Sequence, residues 1–164
     1  MSDDSALAVS LGQLLTARKW QITTEESCTG GGIANVITSV AGSSAWFEQG
    51  FITYSNSAKQ QQLGVATALL IKHGAVSEAV VKAMATGACK KANANVAIAV
   101  SGVAGPGGGS ADKPVGTVWL AWAIQDAGTV AKCYQFKGGR DAVRAQAVTR
   151  AIDELNKALS NNAV

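Results

Sequence analysis

One serine stands where a nucleophile would be useful. In Glu25-Glu26-Ser27-Cys28-Thr29-Gly30-Gly31-Gly32, a strand-like stretch from Trp20 to Thr24 gives way to a hydroxyl, a run of glycines and the helical series Ile33, Val36, Ile37, Val40. A strand that turns directly into a helix presents such a hydroxyl at its carboxyl end. There the free N–H groups of the helix start can stabilise an oxyanion or bind an anion. The same place suits a helix cap, so Ser27 or Thr29 also reads as a capping residue.

A nucleophilic serine needs a base. The chain has a single histidine, His73, which closes a short helical stretch in Lys72-His73-Gly74 and reads as an exposed imidazole, so a Ser-His-Asp triad is not supported. Lysine is the remaining familiar partner: an amine kept neutral by burial or by a neighbouring cation takes a serine proton. Lys59, in Tyr54-Ser55-Asn56-Ser57-Ala58-Lys59, follows a strand-like run, and both Tyr54 and Lys59 can face the crevice holding Ser27. A solvated surface lysine is the alternative reading.

The densest glycine segment, Ser101-Gly102-Val103-Ala104-Gly105-Pro106-Gly107-Gly108-Gly109-Ser110, follows an apolar strand and offers backbone N–H groups without obstructing side chains. It lacks the GxxxxGK[ST] spacing of a P-loop and the GxGxxG of a Rossmann unit, and reads either as a ligand loop or as a flexible surface loop. Arg140, in Gly138-Gly139-Arg140-Asp141, can hold a carboxylate or phosphate through its planar fork, or pair with Asp141. Glu25-Glu26 and Asp3-Asp4 form no metal cage, and Glu25 and Glu26 instead orient the turn around Ser27. Trp46, Trp119 and Trp122 lie in apolar settings and read as core.

The elements that must carry these residues follow from periodicity. A helix is expected over 5–18, strands over 20–24 and 50–54, and short helices over 56–64, capped by Asn56 or Ser57, and 66–72. A longer helix starts at the Ser77-Glu78 cap. A buried strand covers 96–100, strands 115–124 and 129–136 form a hairpin, and a last helix spans 141–159. Strands alternating with helices and ending in a hairpin predict an α/β fold, a three-layer α/β/α sandwich with a mixed, mostly parallel sheet, as one domain over 1–164.

Composition narrows the function. Hydrophobic residues are 48% and charged residues 15% of 164, enough to build a core without disulfides or a structural metal. The net charge of +3 comes from scattered basic residues, and aromatics are only 5%, so nucleic-acid binding is not expected. Cys28, Cys89 and Cys133 are an odd set without CxxC spacing, which fits a reducing compartment and no zinc site. An acidic start with a helical apolar rhythm, and no apolar stretch near the roughly 20 residues of a membrane span, predict a cytoplasmic protein without membrane contact.

Several ordered segments together resemble the CinA C-terminal domain family. They are Glu26-Ser27-Cys28-Thr29-Gly30-Gly31, Ala41-Gly42-Ser43-Ser44-Ala45-Trp46-Phe47, Thr53-Tyr54-Ser55-Asn56, Gly74-Ala75-Val76-Ser77-Glu78, Ser101-Gly102-Val103-Ala104-Gly105-Pro106 and Lys113-Pro114-Val115-Gly116-Thr117-Val118. The resemblance implies a serine amidase, without metal or cofactor, that hydrolyses the carboxamide of nicotinamide mononucleotide to nicotinic acid mononucleotide and ammonia in pyridine-nucleotide recycling. It implies Ser27 as nucleophile, Lys59 as base, acting directly or through Tyr54, and Cys28, Thr29, Gly30 and Gly31 around the oxyanion. Ser101, Gly102, Ala104 and Gly105, with Arg140, are the expected phosphate holders. Gly107, Gly139 and Glu25 depart from the family's usual pattern. A homodimer or higher homo-oligomer is expected. The competing reading is a non-catalytic binding or regulatory module tied to competence or DNA damage.

Overall fold

The continuous apolar run expected to form a buried strand hides an alternation that organises the molecule. In a computed structural model, which describes residues 3–161, β3 (Val96–Gly102) points Val96, Ile98 and Val100 to one face of the sheet and Ala97 and Ala99 to the other. The antiparallel neighbour β4 (Thr117–Ile124) matches it, Ile98 opposite Trp122 and Ala97 and Ala99 opposite Ala123 and Ala121. One face is therefore bulky and the other is paved with alanine.

Helices α1 (Asp3–Arg18), α2 (Gly32–Thr38) and α6 (Arg140–Asn161) cover the bulky face with Leu11, Leu15, Ile33, Ile37 and the inward stripe Val143 to Leu159 of α6. Trp122 and Trp46 are buried in this layer, and the Trp122 indole N–H donates to Ala151 O at 2.9 Å. Trp119 packs against the alanine face. There α5 (Glu78–Ala92) lies across the strands with α3 (Asn56–Leu63) and α4 (Thr67–His73) beside it. A side chain at Gly87 of α5 would meet Leu63 O at 2.5 Å. The missing Cβ therefore lets the end of α3 press onto α5.

The remaining strands are β1 (Ile22–Glu26), β2 (Phe51–Ile52) and β5 (Gly128–Gln135), and the order is β2-β1-β3-β4-β5. Pairs β2–β1 and β1–β3 are parallel; β3–β4 and β4–β5 are antiparallel. All strands but β4 thus point one way, giving the mixed three-layer sandwich. Because β1 is flanked by β2 on one side and β3 on the other, the crevice beyond their carboxyl ends receives three chain segments. These are the turn after Glu26, the stretch after Ile52 and the loop after Gly102. Open α/β sheets bind ligands at such a point.

Local details differ from expectation for physical reasons. The strand expected over 20–24 lies at Ile22–Glu26, and every residue of it is buried, because it is a central strand covered on both faces. The strand expected over 50–54 is reduced to Phe51–Ile52, although Thr53 N–H still donates to Glu26 O at 3.0 Å. The cap of α3 is Ser55, whose side chain accepts from Ala58 N–H, and not Asn56 or Ser57. Strand β3 runs on to Gly102. No helix of the described residues is long and apolar enough to cross a membrane.

Candidate active site

Ser27 is the first residue beyond β1, and its N–H still belongs to the sheet, donating to Val100 O at 3.1 Å. The chain then turns: Gly30 N–H donates to Ser27 O and Gly32 N–H to Thr29 O, with Gly30 and Gly31 at φ of 59° and 103°, a region glycine enters without steric cost. Glu26 holds this turn. Its buried carboxylate accepts from Thr29 Oγ1 at 2.6 Å, Ile33 N–H at 2.8 Å and Ala34 N–H at 3.0 Å. The first N–H groups of α2 are therefore taken by the protein's own carboxylate, which corrects the expectation that they hold an external anion.

Lys59 sits in the first half of α3, and only 1% of it is exposed. The surface-lysine alternative is thus overturned. Its Nζ donates to Thr53 O at 2.8 Å, Tyr54 O at 3.2 Å and Ser27 Oγ at 3.1 Å. Ser27 is 7% exposed, and its hydroxyl donates over 3.4 Å to Tyr54 O. Burial pushes the Lys59 amine below its ordinary range, while Glu25 and Cys28 pull it partly back. A neutral amine has two N–H bonds and one lone pair. With two carbonyls taking the N–H bonds, the lone pair is left facing the serine hydroxyl.

The neighbouring thiol is no rival nucleophile: burial pushes Cys28 up to about 11, so it stays protonated at neutral pH. His73, exposed at the end of α4, takes no part beyond its main-chain carbonyl, which accepts from Lys113 Nζ at 2.8 Å.

A cleft of about 300 Å³ is walled by Cys28, Tyr54, Gly102, Ala104, Gly105 and Arg140 among others; it reaches the neighbours of the pair, Cys28 and Tyr54, while Ser27 and Lys59 themselves are not among its lining residues. Tyr54, 61% exposed, contributes to the Ser27–Lys59 contact through its main-chain carbonyl. Its hydroxyl is turned elsewhere and accepts from Arg140 Nη2 at 3.1 Å, so a relay through that hydroxyl is not what the geometry offers. Arg140 also donates to Gly105 O at 2.8 Å and thereby bridges the two rims. Ser101 is buried within β3, opposite Trp119, and does not line the cleft. Thr29, Gly30 and Gly31 build the turn and are likewise not among the lining residues.

Two residues escaped the sequence reading. Thr53 supplies the carbonyl nearest to the amine. Arg144, one helical turn beyond Arg140, donates to Cys28 O at 3.1 Å and Thr29 O at 3.3 Å, clamping the turn from α6. A peptide's N–H points away from its C=O, so holding Cys28 O directs the Thr29 N–H to the opposite side. The i,i+4 spacing of the two arginines was the available signal.

Known proteins resemble this chain over nearly its whole length. The sequence model of the CinA C-terminal domain matches residues 4–159. The nicotinamide-nucleotide amidohydrolase PncC of Escherichia coli (strain K12) is 54% identical over 157 residues, covering 94% of this chain and 95% of that protein. The protein of the same name from Pseudomonas putida is 54% identical over 155 residues, covering 94% and 96%. Among solved structures, the competence damage-inducible protein A of Klebsiella pneumoniae superposes with a TM-score of 0.93 at 40% identity, covering 97% of this chain and 98% of that one.

Proposed function

The chain belongs to the CinA C-terminal domain family, and from that premise we propose that it is a nicotinamide-nucleotide amidohydrolase. It converts nicotinamide mononucleotide and water to nicotinic acid mononucleotide and ammonia through an acyl-enzyme on Ser27. The observation that carries this reading is the buried contact of 3.1 Å between Lys59 Nζ and Ser27 Oγ, together with the name borne by relatives that share more than half of the sequence.

In the scheme, the neutral amine of Lys59 takes the Ser27 proton as Oγ bonds to the carboxamide carbon. The oxyanion faces the peptide N–H groups of the turn, Thr29 N–H being the candidate donor, since Gly30 N–H is already engaged with Ser27 O. Lys59 then returns the proton to the leaving nitrogen, the C–N bond breaks and ammonia departs. Water attacks the acyl-enzyme with Lys59 again as base, freeing the acid and Ser27. The pyridinium charge of the substrate favours the neutral amine when it lies near Lys59. Arg140 at the cleft rim is the group suited to the 5′-phosphate, with the backbone of Ala104 and Gly105 beside it.

The test is ammonia and nicotinic acid mononucleotide production by purified protein in the presence of a chelator, with nicotinamide, its riboside and NAD as comparison substrates. Activity on the mononucleotide that vanishes in a folded Ser27→Ala variant is the expected result. No product from the wild type, or an active Ser27→Ala protein, would sink the assignment and favour a binding module.

A further inference from the structure

Glu25 is a fully buried carboxyl to which the scheme above gives no task. It sits on β1 in register with Phe51 and Ala99, on the sheet face opposite Glu26, the alanine-paved face. One oxygen accepts a hydrogen bond from Thr53 Oγ1. The other, Oε2, is buried without a hydrogen-bond partner among the described residues. The residue that donates to Glu25 with its side chain is the same residue whose main-chain carbonyl accepts from Lys59 Nζ at 2.8 Å. Thr53 is itself fully buried, so carboxyl, hydroxyl, carbonyl and amine form one chain shielded from water.

We propose that Glu25 is a positioning residue for Lys59, holding its anchor through Thr53 and setting by its own charge state when the amine is free to take the Ser27 proton. The inference rests on the reading of Lys59 as the base.

The electrostatics follow from the surroundings. Charged or titratable groups acting on Glu25 are Lys59 from α3 and Glu26 from its own strand; the inward side chains of α5, which packs on β1, are Val80, Val81, Met84, Ala85 and Ala88. Lys59 is acted on by Glu25 and by the Cys28 thiol. Burial raises Glu25 to about 8 against the pull of Lys59, while Glu25 in turn raises the amine that burial lowers, so each group responds to the charge of the other as it titrates. The uncharged pair, acid and free amine, is the form competent to accept a proton from serine. As pH rises and Glu25 ionises, its negative charge strengthens the hold of Lys59 on a proton. The two groups therefore titrate as a coupled pair, not as independent sites.

The decisive experiment is read without substrate, so that it stands apart from the amidohydrolase reading. Lysine labelled with carbon-13 at Cε is incorporated, the Lys59 signal is assigned by its loss in Lys59→Met, and its pH titration is compared in wild type and Glu25→Gln. Glutamine keeps an acceptor for Thr53 Oγ1 and removes the charge. The expected result is a Lys59 midpoint lower by about one pH unit, with a single-step curve, because an opposing charge has been taken away. Glu25→Ala should lower it likewise. The acid limb of kcat/KM on nicotinamide mononucleotide should move in the same direction, a shift that a merely structural residue would not cause. A midpoint that stays put or rises in both variants overturns the proposal, and so does failure of both to fold, which would make the carboxyl a structural requirement. A wild-type protein that releases no ammonia ends the amidohydrolase reading instead, and the titration still decides the coupling.

Discussion

The two halves of the site, the buried cluster around Lys59 and the cleft beside it, are built on opposite principles. On one side Ser27, Lys59, Thr53 and Glu25 are buried and tied to one another by short contacts between side chains and main chain. On the other, Tyr54 and Arg140 stand largely in solvent and meet across the opening through a single hydrogen bond. The first half is held in one geometry before any ligand arrives, at the cost of placing an amine and a carboxyl out of water. The second can part when an anion offers the guanidinium a better partner. On the proposed function this implies a division of labour, with rate residing in the dry half and affinity in the wet one.

The largest effect that tests this division is in the dry half. Lys59→Met keeps length and apolar stem but removes the proposed base, and kcat should fall by about 10³-fold or more, near the upper range for general-base removal combined with nucleophile activation. Stability should change much less. Replacing the buried amine by a thioether removes a desolvation cost but leaves Thr53 O and Tyr54 O without their donor, and the two oppose each other, so the melting temperature should stay within a few degrees. Thermal denaturation beside single-turnover kinetics reads both. A Lys59→Met protein that keeps its kcat would break the comparison outright.

How much of this was legible in the sequence depends on whether the cause was local. The order of elements, the Ser77 cap of α5 and the strand-to-helix turn at Ser27 follow from nearest-neighbour patterns and stand as expected. The burial of Lys59 does not. Nothing in Ser55-Asn56-Ser57-Ala58-Lys59 marks that lysine as interior; it is interior because the ends of β1 and β2 deliver a hydroxyl and two carbonyls to one point. The sorting of Ala97 and Ala99 from Ile98 was hidden in an apolar run for the same reason: it acquires meaning only when α5 lies on one face and α6 on the other. The glycine segment misled at its start, because Ser101 and Gly102 read as loop yet pair with β4. A Cβ at Gly102 would meet Val118 Cγ2 at 2.7 Å, so the glycine serves close packing in the sheet.

In the wet half, Arg140→Ala should raise KM for nicotinamide mononucleotide by about 10- to 100-fold, the worth of one charge-assisted contact, and leave kcat within a few-fold. A fall in kcat with KM unchanged would move Arg140 into the dry half. Arg144→Gln lies on the boundary. It loses the clamp on Cys28 O and Thr29 O, and kcat should drop about tenfold with a loss of stability of about 1–2 kcal/mol. Steady-state kinetics and urea unfolding separate the two contributions.

The smallest expected effect is the sharpest test of where the boundary runs. Tyr54 belongs to both halves: its carbonyl orients the Lys59 amine, and its hydroxyl meets Arg140. Tyr54→Phe removes only the second contact. If the halves are independent, kcat stays unchanged, KM moves by less than about fivefold, the range of one exposed neutral hydrogen bond, and the Arg140→Ala variant becomes insensitive to the change because their shared contact is already gone. A hundredfold fall in kcat in the phenylalanine variant would instead put the phenol in the proton path, which the observed hydrogen bond does not. The double variant therefore distinguishes a latch from a relay: coupling confined to KM argues for the former, coupling in kcat for the latter.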